Sequence, residues 1–225
     1  EEARAVRICQ VEQPPQPQRS NASGGRPRCL MLHGRSGCRE LMELRRGDIK
    51  SRRAVIANDL ETYRAGSVAC ELVDLACPTG QPDRGTWARL SRCLDELATG
   101  ARPAWEATAA FELGFLEEHG ICPALERCAA CGCDAPAPNP SEARACFSAS
   151  CGGRLCQSCA DEARDAGRRV GTMPLDVLDA ASKLLRRSPE GERITPLDAP
   201  LLVRLKDFVE RFLDHHLEVR TKARG

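Results

Sequence analysis

Two cysteine pairs carry the strongest chemical signal in the chain, Cys128-Ala-Ala-Cys131-Gly132 and Cys156-Gln-Ser-Cys159. With two residues between the cysteines, both thiolates of a tight turn can face one ion, and two such turns brought together make a tetrahedral four-sulfur site suited to Zn²⁺. Gly132 permits a backbone turn that brings N–H groups toward the sulfurs. Twenty-four residues separate Cys131 from Cys156. That is slightly longer than the commonest ribbon spacing, and the Pro-rich stretch 135–141 absorbs the excess. The spacing predicts one closed structural zinc ion on Cys128, Cys131, Cys156 and Cys159, worth on the order of 10 kcal/mol to a loop-rich insertion with little core of its own.

Other chemistries fit less well. A thioredoxin-type redox pair sits beside a βαβ pattern, and none is present. A catalytic zinc site keeps one position open and usually includes His. The nearest histidine, His119, ends a helical stretch and has no ligand spacing to either pair. A zinc deaminase needs H-x-E ahead of P-C-x-x-C, and no such combination occurs. Asp and Glu are plentiful but form no recognisable acid/base pair, so the chain reads as a non-enzyme.

The chain holds fourteen cysteines in 225 residues. Cys122, Cys133, Cys146 and Cys151 lie near the two pairs and read as small buried residues, with Cys133 or Cys151 the alternatives for a ligand position. The opening EEARAVRICQ has no apolar signal-peptide core, and no apolar run is long enough to span a bilayer. The reading is a reduced, cytoplasmic protein rather than a disulfide scaffold. The first residue is Glu, which fits a processed chain or a fragment.

The elements that must position the cysteines are mostly helical. Residues 13–27 are rich in Pro, Gln, Ser and Gly and predict a loop. Two short runs, 29–33 and 41–44, predict a hairpin turning at Gly34-Arg35-Ser36-Gly37. From residue 54 the period becomes helical. Ile56, Leu60, Tyr63, Val68, Leu72 and Leu75 form one apolar face, and Trp87, Leu90, Leu94 and Leu97 form another. Ala107, Phe111 and Phe115 define a third helix, with Gly120 as a left-handed stop. Further helices are expected over 160–169, 174–187 and 197–219, the last burying Leu201, Leu205, Phe208, Phe212 and His216. His216 reads as a hydrogen-bonded core residue.

Beyond the spacing, whole segments are similar to bacterial RecO recombination mediators. Arg127-Cys-Ala-Ala-Cys-Gly132 and Cys146-Phe-Ser-Ala-Ser-Cys-Gly-Gly-Arg-Leu-Cys-Gln-Ser-Cys159 resemble that family's zinc insertion. Residues 110–123 resemble the helix leading into it, Ser67-Val-Ala-Cys-Glu-Leu-Val-Asp74 its first bundle helix, and Phe212-Leu-Asp-His-His-Leu217 its ending. The resemblance covers residues 30–225. It implies an α+β fold, with a small OB-like β domain (residues 1–53) preceding a mainly α-helical bundle (54–225) that carries a four-cysteine zinc-ribbon insertion (121–160). The OB-like part is shortened or divergent here, since only about fifty residues precede the first helix where such a domain takes roughly eighty.

The resemblance further implies a protein that binds single- and double-stranded DNA, anneals strands, and acts with RecR and the SSB C-terminal tail to load RecA. The charge pattern is compatible with this. Residues 1–60 carry 12 basic and 7 acidic side chains, whereas residues 61–127 carry 6 and 11. The candidate phosphate-binding residues are Arg45, Arg46, Lys50, Arg52 and Arg53, extended by Arg35 and Arg39. With five Phe, two Trp and one Tyr, and with Trp87, Trp105 and Tyr63 on apolar helical faces, no stacking platform is expected, and contact should be mainly to phosphate. The alternative is a zinc-stabilised protein–protein adaptor that does not touch DNA.

Overall fold

The structure is a computed structural model, and it describes residues 5–6, 28–35, 43–51, 53–77, 83–136, 143–186, 196–217, 221 and 223. Three strands come first: β1 (Ala5–Val6), β2 (Arg28–Arg35) and β3 (Glu43–Ser51) form an antiparallel sheet in that order. In the hairpin, Leu30 faces Ile49 and His33 faces Arg46, but Gly34 faces Leu44. Arg45 is therefore the extra residue of a β-bulge.

The second strand is longer than the expected 41–44 and takes in most of the basic run. The sequence Arg45-Arg46-Gly47-Asp48 has little strand preference of its own. Pairing with the Leu- and Met-bearing β2 overrides it, as tertiary context commonly does.

A short 3-10 helix (Ala54–Asn58) leads into α1 (Leu60–Ala76), α2 (Arg84–Thr99) and α3 (Ala104–Glu118). Asp59 and Asp83 cap α1 and α2, their carboxylates accepting the N–H of Thr62 and Thr86 at 2.7 and 2.9 Å. These are the acceptors that a helix start needs for its orphan donors. Gly100 ends α2 with a φ of 66°, and Gly120 follows α3 with a φ of 69°. In α3, Ala107, Ala109, Phe111, Leu113, Phe115 and Leu116 are buried together with the polar Glu106, Thr108 and Glu112, so the helix is covered nearly all round. It packs against α1, α2, α5 (Leu175–Leu185) and α6 (Ala199–Leu217), and so forms the centre of the bundle.

The expected apolar face of α1 is buried only in part: Ile56, Val68 and Leu72 are in the core. Ala65, Gly66, Val68, Ala69 and Leu72 are buried, whereas Leu60, Tyr63 and Leu75 are 69%, 40% and 47% exposed. Small residues let α1 lie close to its neighbours, and the larger side chains are left at the rim. Trp87 and Trp105 are partly buried against the core. Trp105 is also covered by Lys206, whose Nζ lies 3.5 Å from the ring centroid.

A second antiparallel sheet lies where the sequence showed only broken periodicity. Its order is β5 (Gly153–Leu155), β4 (Arg144–Ser148), β6 (Gly171–Pro174), with α4 (Gln157–Asp165) between β5 and β6. Phe147 of β4 inserts into the bundle, edge-on to Phe208 at 5.4 Å and to Phe212 at 6.2 Å. Among the described residues, no helix is long and apolar enough to cross a membrane.

Candidate metal centre

Cys128 and Cys131 lie on a tight turn. Cys128 N–H donates to the Cys133 carbonyl at 2.9 Å, and Gly132 N–H donates back to the Cys128 carbonyl at 2.9 Å. Gly132 takes a φ of 72° there, a left-handed conformation that favours glycine. Cys156 is the N-cap of α4, and Cys159 lies in its first turn. The second pair therefore sits where the free N–H groups of a helix start are gathered.

Three strand-like contacts clamp the two pairs together. Ala124 N–H donates to Gly152 O at 2.9 Å, Arg154 N–H to Ala124 O at 2.8 Å, and Ala129 N–H to Arg154 O at 2.7 Å. Gly153 makes this approach possible, since a Cβ there would sit 2.5 Å from the backbone N and O of Ala124.

The result brings the ligand atoms of Cys128, Cys131, Cys156 and Cys159 within 4.8 Å of one another. The Cys131 and Cys156 sulfurs are 3.8 Å apart. A tetrahedron with Zn–S bonds of about 2.3 Å has S–S edges of about 3.8 Å, so the four residues fit a four-sulfur ion.

The electrostatics point the same way. Burial opposes ionisation of Cys128, but the N–H groups of Cys131, Cys156 and Ala130 outweigh it and pull this thiol down to about 6. The Ser158 hydroxyl and the Cys159 N–H lower Cys156. Sharing hydrogen with Cys156 and Cys131 pushes Cys159 up. Four clustered thiols cannot all ionise without a cation among them, and a divalent ion is what would neutralise them. The donors that turn toward the sulfurs belong to Ala130, Cys131, Cys133, Cys156 and Cys159. Gly132 shapes the turn and its own N–H goes elsewhere.

The neighbouring cysteines are not in the cluster. Cys146 is buried between Gln157 and Arg164, Cys151 faces the Arg168 guanidinium at 3.7 Å, and Cys133 is exposed. Burial pushes Cys122 up to about 11. His216 is only partly the satisfied residue expected. Its ring bonds the Ala149 backbone and packs at a tilt against Phe212, 4.4 Å between centroids, while its buried Nε2 has no hydrogen-bond partner.

Of the basic residues singled out, Arg35 ends β2, and Arg45, Arg46 and Lys50 lie in β3. Arg39 and Arg52 lie outside the described residues. Arg53 is drawn onto α2, where it pairs with Asp95 at 2.8 Å and donates to Ser91 O at 3.1 Å. Sequence reasoning missed a second cluster, Cys77, Asp83 and His119. Cys77 and Asp83 flank the connection between α1 and α2, but His119 is distant in sequence and joins them only through helix packing.

With this geometry in place, residues 57–225 match the family described as Recombination protein O C terminal. The chain belongs to this family. It is 34% identical over 173 residues to the DNA repair protein RecO of Anaeromyxobacter sp. (strain K), covering 75% of this chain and 63% of that protein. It is 28% identical over 193 residues to the DNA repair protein RecO of Desulforudis audaxviator, covering 86% and 71%. The Myxococcus xanthus protein of the same name is 31% identical over 166 residues. The chain thus spans a little under two thirds of the Anaeromyxobacter relatives it matches.

Proposed function

We propose that the chain is a non-catalytic mediator of DNA repair and recombination. In this reading it binds single- and double-stranded DNA, promotes annealing and helps load RecA on SSB-coated strands, with RecR and the SSB C-terminal tail as partners. It acts in the cytoplasm, on the nucleoid. One observation carries the proposal: the RecO family match runs through a helical core that supports a clamped four-cysteine cluster.

Zn²⁺ is the ion proposed for Cys128, Cys131, Cys156 and Cys159, and its part is structural. It neutralises four clustered thiolates and fixes a lobe whose own core is small, with Cys128, Ala135, Cys146, Leu155, Ala160 and Ala163 as its buried residues.

The first sheet is proposed as the OB-like part and as the place where phosphate is met. Arg35, Arg45, Arg46 and Lys50 belong to one hairpin, and Arg39 and Arg52 extend the same basic segment. Arg53 is bound to Asp95 and Ser91, so it serves as the internal control.

The test is an anisotropy titration of zinc-loaded protein with labelled single-stranded DNA at several salt concentrations. Binding should weaken along a straight log–log line with a slope of about −0.7 per phosphate neutralised. R45A, R46A and K50A should each flatten it, and R53A should leave it unchanged. An absence of binding even at low salt would replace this reading with the zinc-stabilised adaptor, whose interaction with an SSB-tail peptide would then be measured.

A further inference from the structure

Away from the four-cysteine cluster, three helix ends of the bundle converge on a different set of donors. Cys77 closes α1, its N–H bonded to Val73 O at 3.0 Å. Asp83 opens α2 as its cap, and His119 closes α3. One ligand atom from each lies within 4.8 Å of the others. His119 Nε2 is 3.6 Å from Asp83 Oδ2, too long for a good hydrogen bond.

The ring is held in place by its neighbours. The Phe115 ring packs against it at a tilt of 43°, with 4.2 Å between centroids, and the Thr86 hydroxyl is 3.2 Å from Nε2. Thr86 is itself buried, and its hydroxyl donates to Asp83 Oδ2 at 2.7 Å. That bond uses its one proton, so in the metal-free protein Nε2 supplies the hydrogen of the His119–Thr86 contact. A cation among the three side chains would take that proton's place, and Thr86 would go on orienting the Asp83 carboxylate. Such outer-shell support is what a preformed metal site requires. Cys77 and Asp83 are part-buried and His119 is exposed, so the donors are reachable from solvent.

We propose that Cys77, Asp83 and His119 form a second metal site, distinct from the four-cysteine cluster, that takes one borderline-soft divalent ion such as Zn²⁺. The donor set of one thiolate, one imidazole and one carboxylate selects that class of ion over Mg²⁺ or Ca²⁺, which prefer oxygen ligands. Three protein ligands leave a fourth, water-filled position. The site is therefore open and weaker than the closed four-sulfur cluster, and its ion ties together the ends of α1, α2 and α3.

The test is equilibrium dialysis of the full chain against a series of Zn²⁺ buffers, with metal per chain measured by mass spectrometry. The wild-type chain should bind two ions, the second at higher free Zn²⁺. Losing an outer-shell partner of a ligand costs about 10–100-fold in metal affinity. C77S and H119Q should therefore each weaken the second ion by at least tenfold and leave the first in place. C133S, which alters an exposed cysteine beside the first cluster, should retain both. Because Cys77 and His119 end different helices, misfolding of one variant leaves the other to decide. A saturating value of one ion in the wild-type chain overturns the proposal. So does a second ion that survives in both C77S and H119Q, or one that disappears in C133S.

Discussion

Glu106 shows how one buried side chain can support the fold and strain it as well. It is 1% exposed in the first turn of α3, and its Oε1 accepts the N–H of Leu197 at 2.6 Å, while Oε2 has no hydrogen-bond partner. Burial raises its pKa, against the lowering effects of the Leu197 N–H and Arg102. A carboxyl raised in the folded state binds more protons folded than unfolded. Its contribution is fully present below the unfolded-state value and is lost as pH rises through the folded one. E106Q keeps the oxygen that Leu197 needs and removes the charge. Urea midpoints should therefore rise at neutral pH, and this part of the pH dependence should flatten. E106L removes the acceptor, leaves the half-buried Leu197 N–H unpaired, and should cost about 1 kcal/mol. Equal stability of the two variants would mean that the Leu197 bond contributes nothing.

At the scale of elements, the four-cysteine cluster depends on a single close approach. Gly153 has a φ of 141° and leaves no room for a Cβ against Ala124. G153A must therefore part the strand that carries Arg154 from the segment that carries Ala124 and Ala129. The two cysteine pairs separate with it, although no cysteine has changed. Zinc content should fall and chelator-driven release should speed up by at least tenfold, comparable to the loss of an outer-shell partner. Full retention of zinc would show that the ion alone sets the geometry. The cysteine pairs themselves are legible in the sequence, because each turn is local, with two residues between its cysteines. The clamp is not, since β5 is three residues long and has no pattern of its own. The buried face of α1 is obscured for a different reason. Periodicity rests on large apolar residues, of which Val68 and Leu72 are buried but Leu60 and Tyr63 are not, and it passes over the equally buried Ala65, Gly66 and Ala69.

For the molecule as a whole, the bundle and the cysteine lobe should differ in what holds them. The bundle has an extensive core around α3, whereas the lobe buries a small cluster and reaches the main core through Leu125, Ala145 and Phe147. Helical order of the bundle is readable from period alone. The lobe's four-cysteine cluster is readable from cysteine spacing, and the joint to the bundle is not, because Phe147 sits in a strand that shows no alternation. Removing the metal with a chelator should therefore unlock the lobe and leave the bundle folded. Amides of residues 121–136 and 143–174 should lose hydrogen-exchange protection while those of α1, α2 and α3 keep theirs, as expected for units of unequal local stability. The joint can be tested separately. Phe212 is 2% exposed and touches Phe147, Phe208 and His216. F212A should cost about 3–5 kcal/mol. If the lobe is held to the bundle through these rings, F212A should also lower protection of β4 in the zinc-loaded protein without changing its zinc content. Loss of zinc in F212A would instead mean that the bundle and the lobe fold as one cooperative unit.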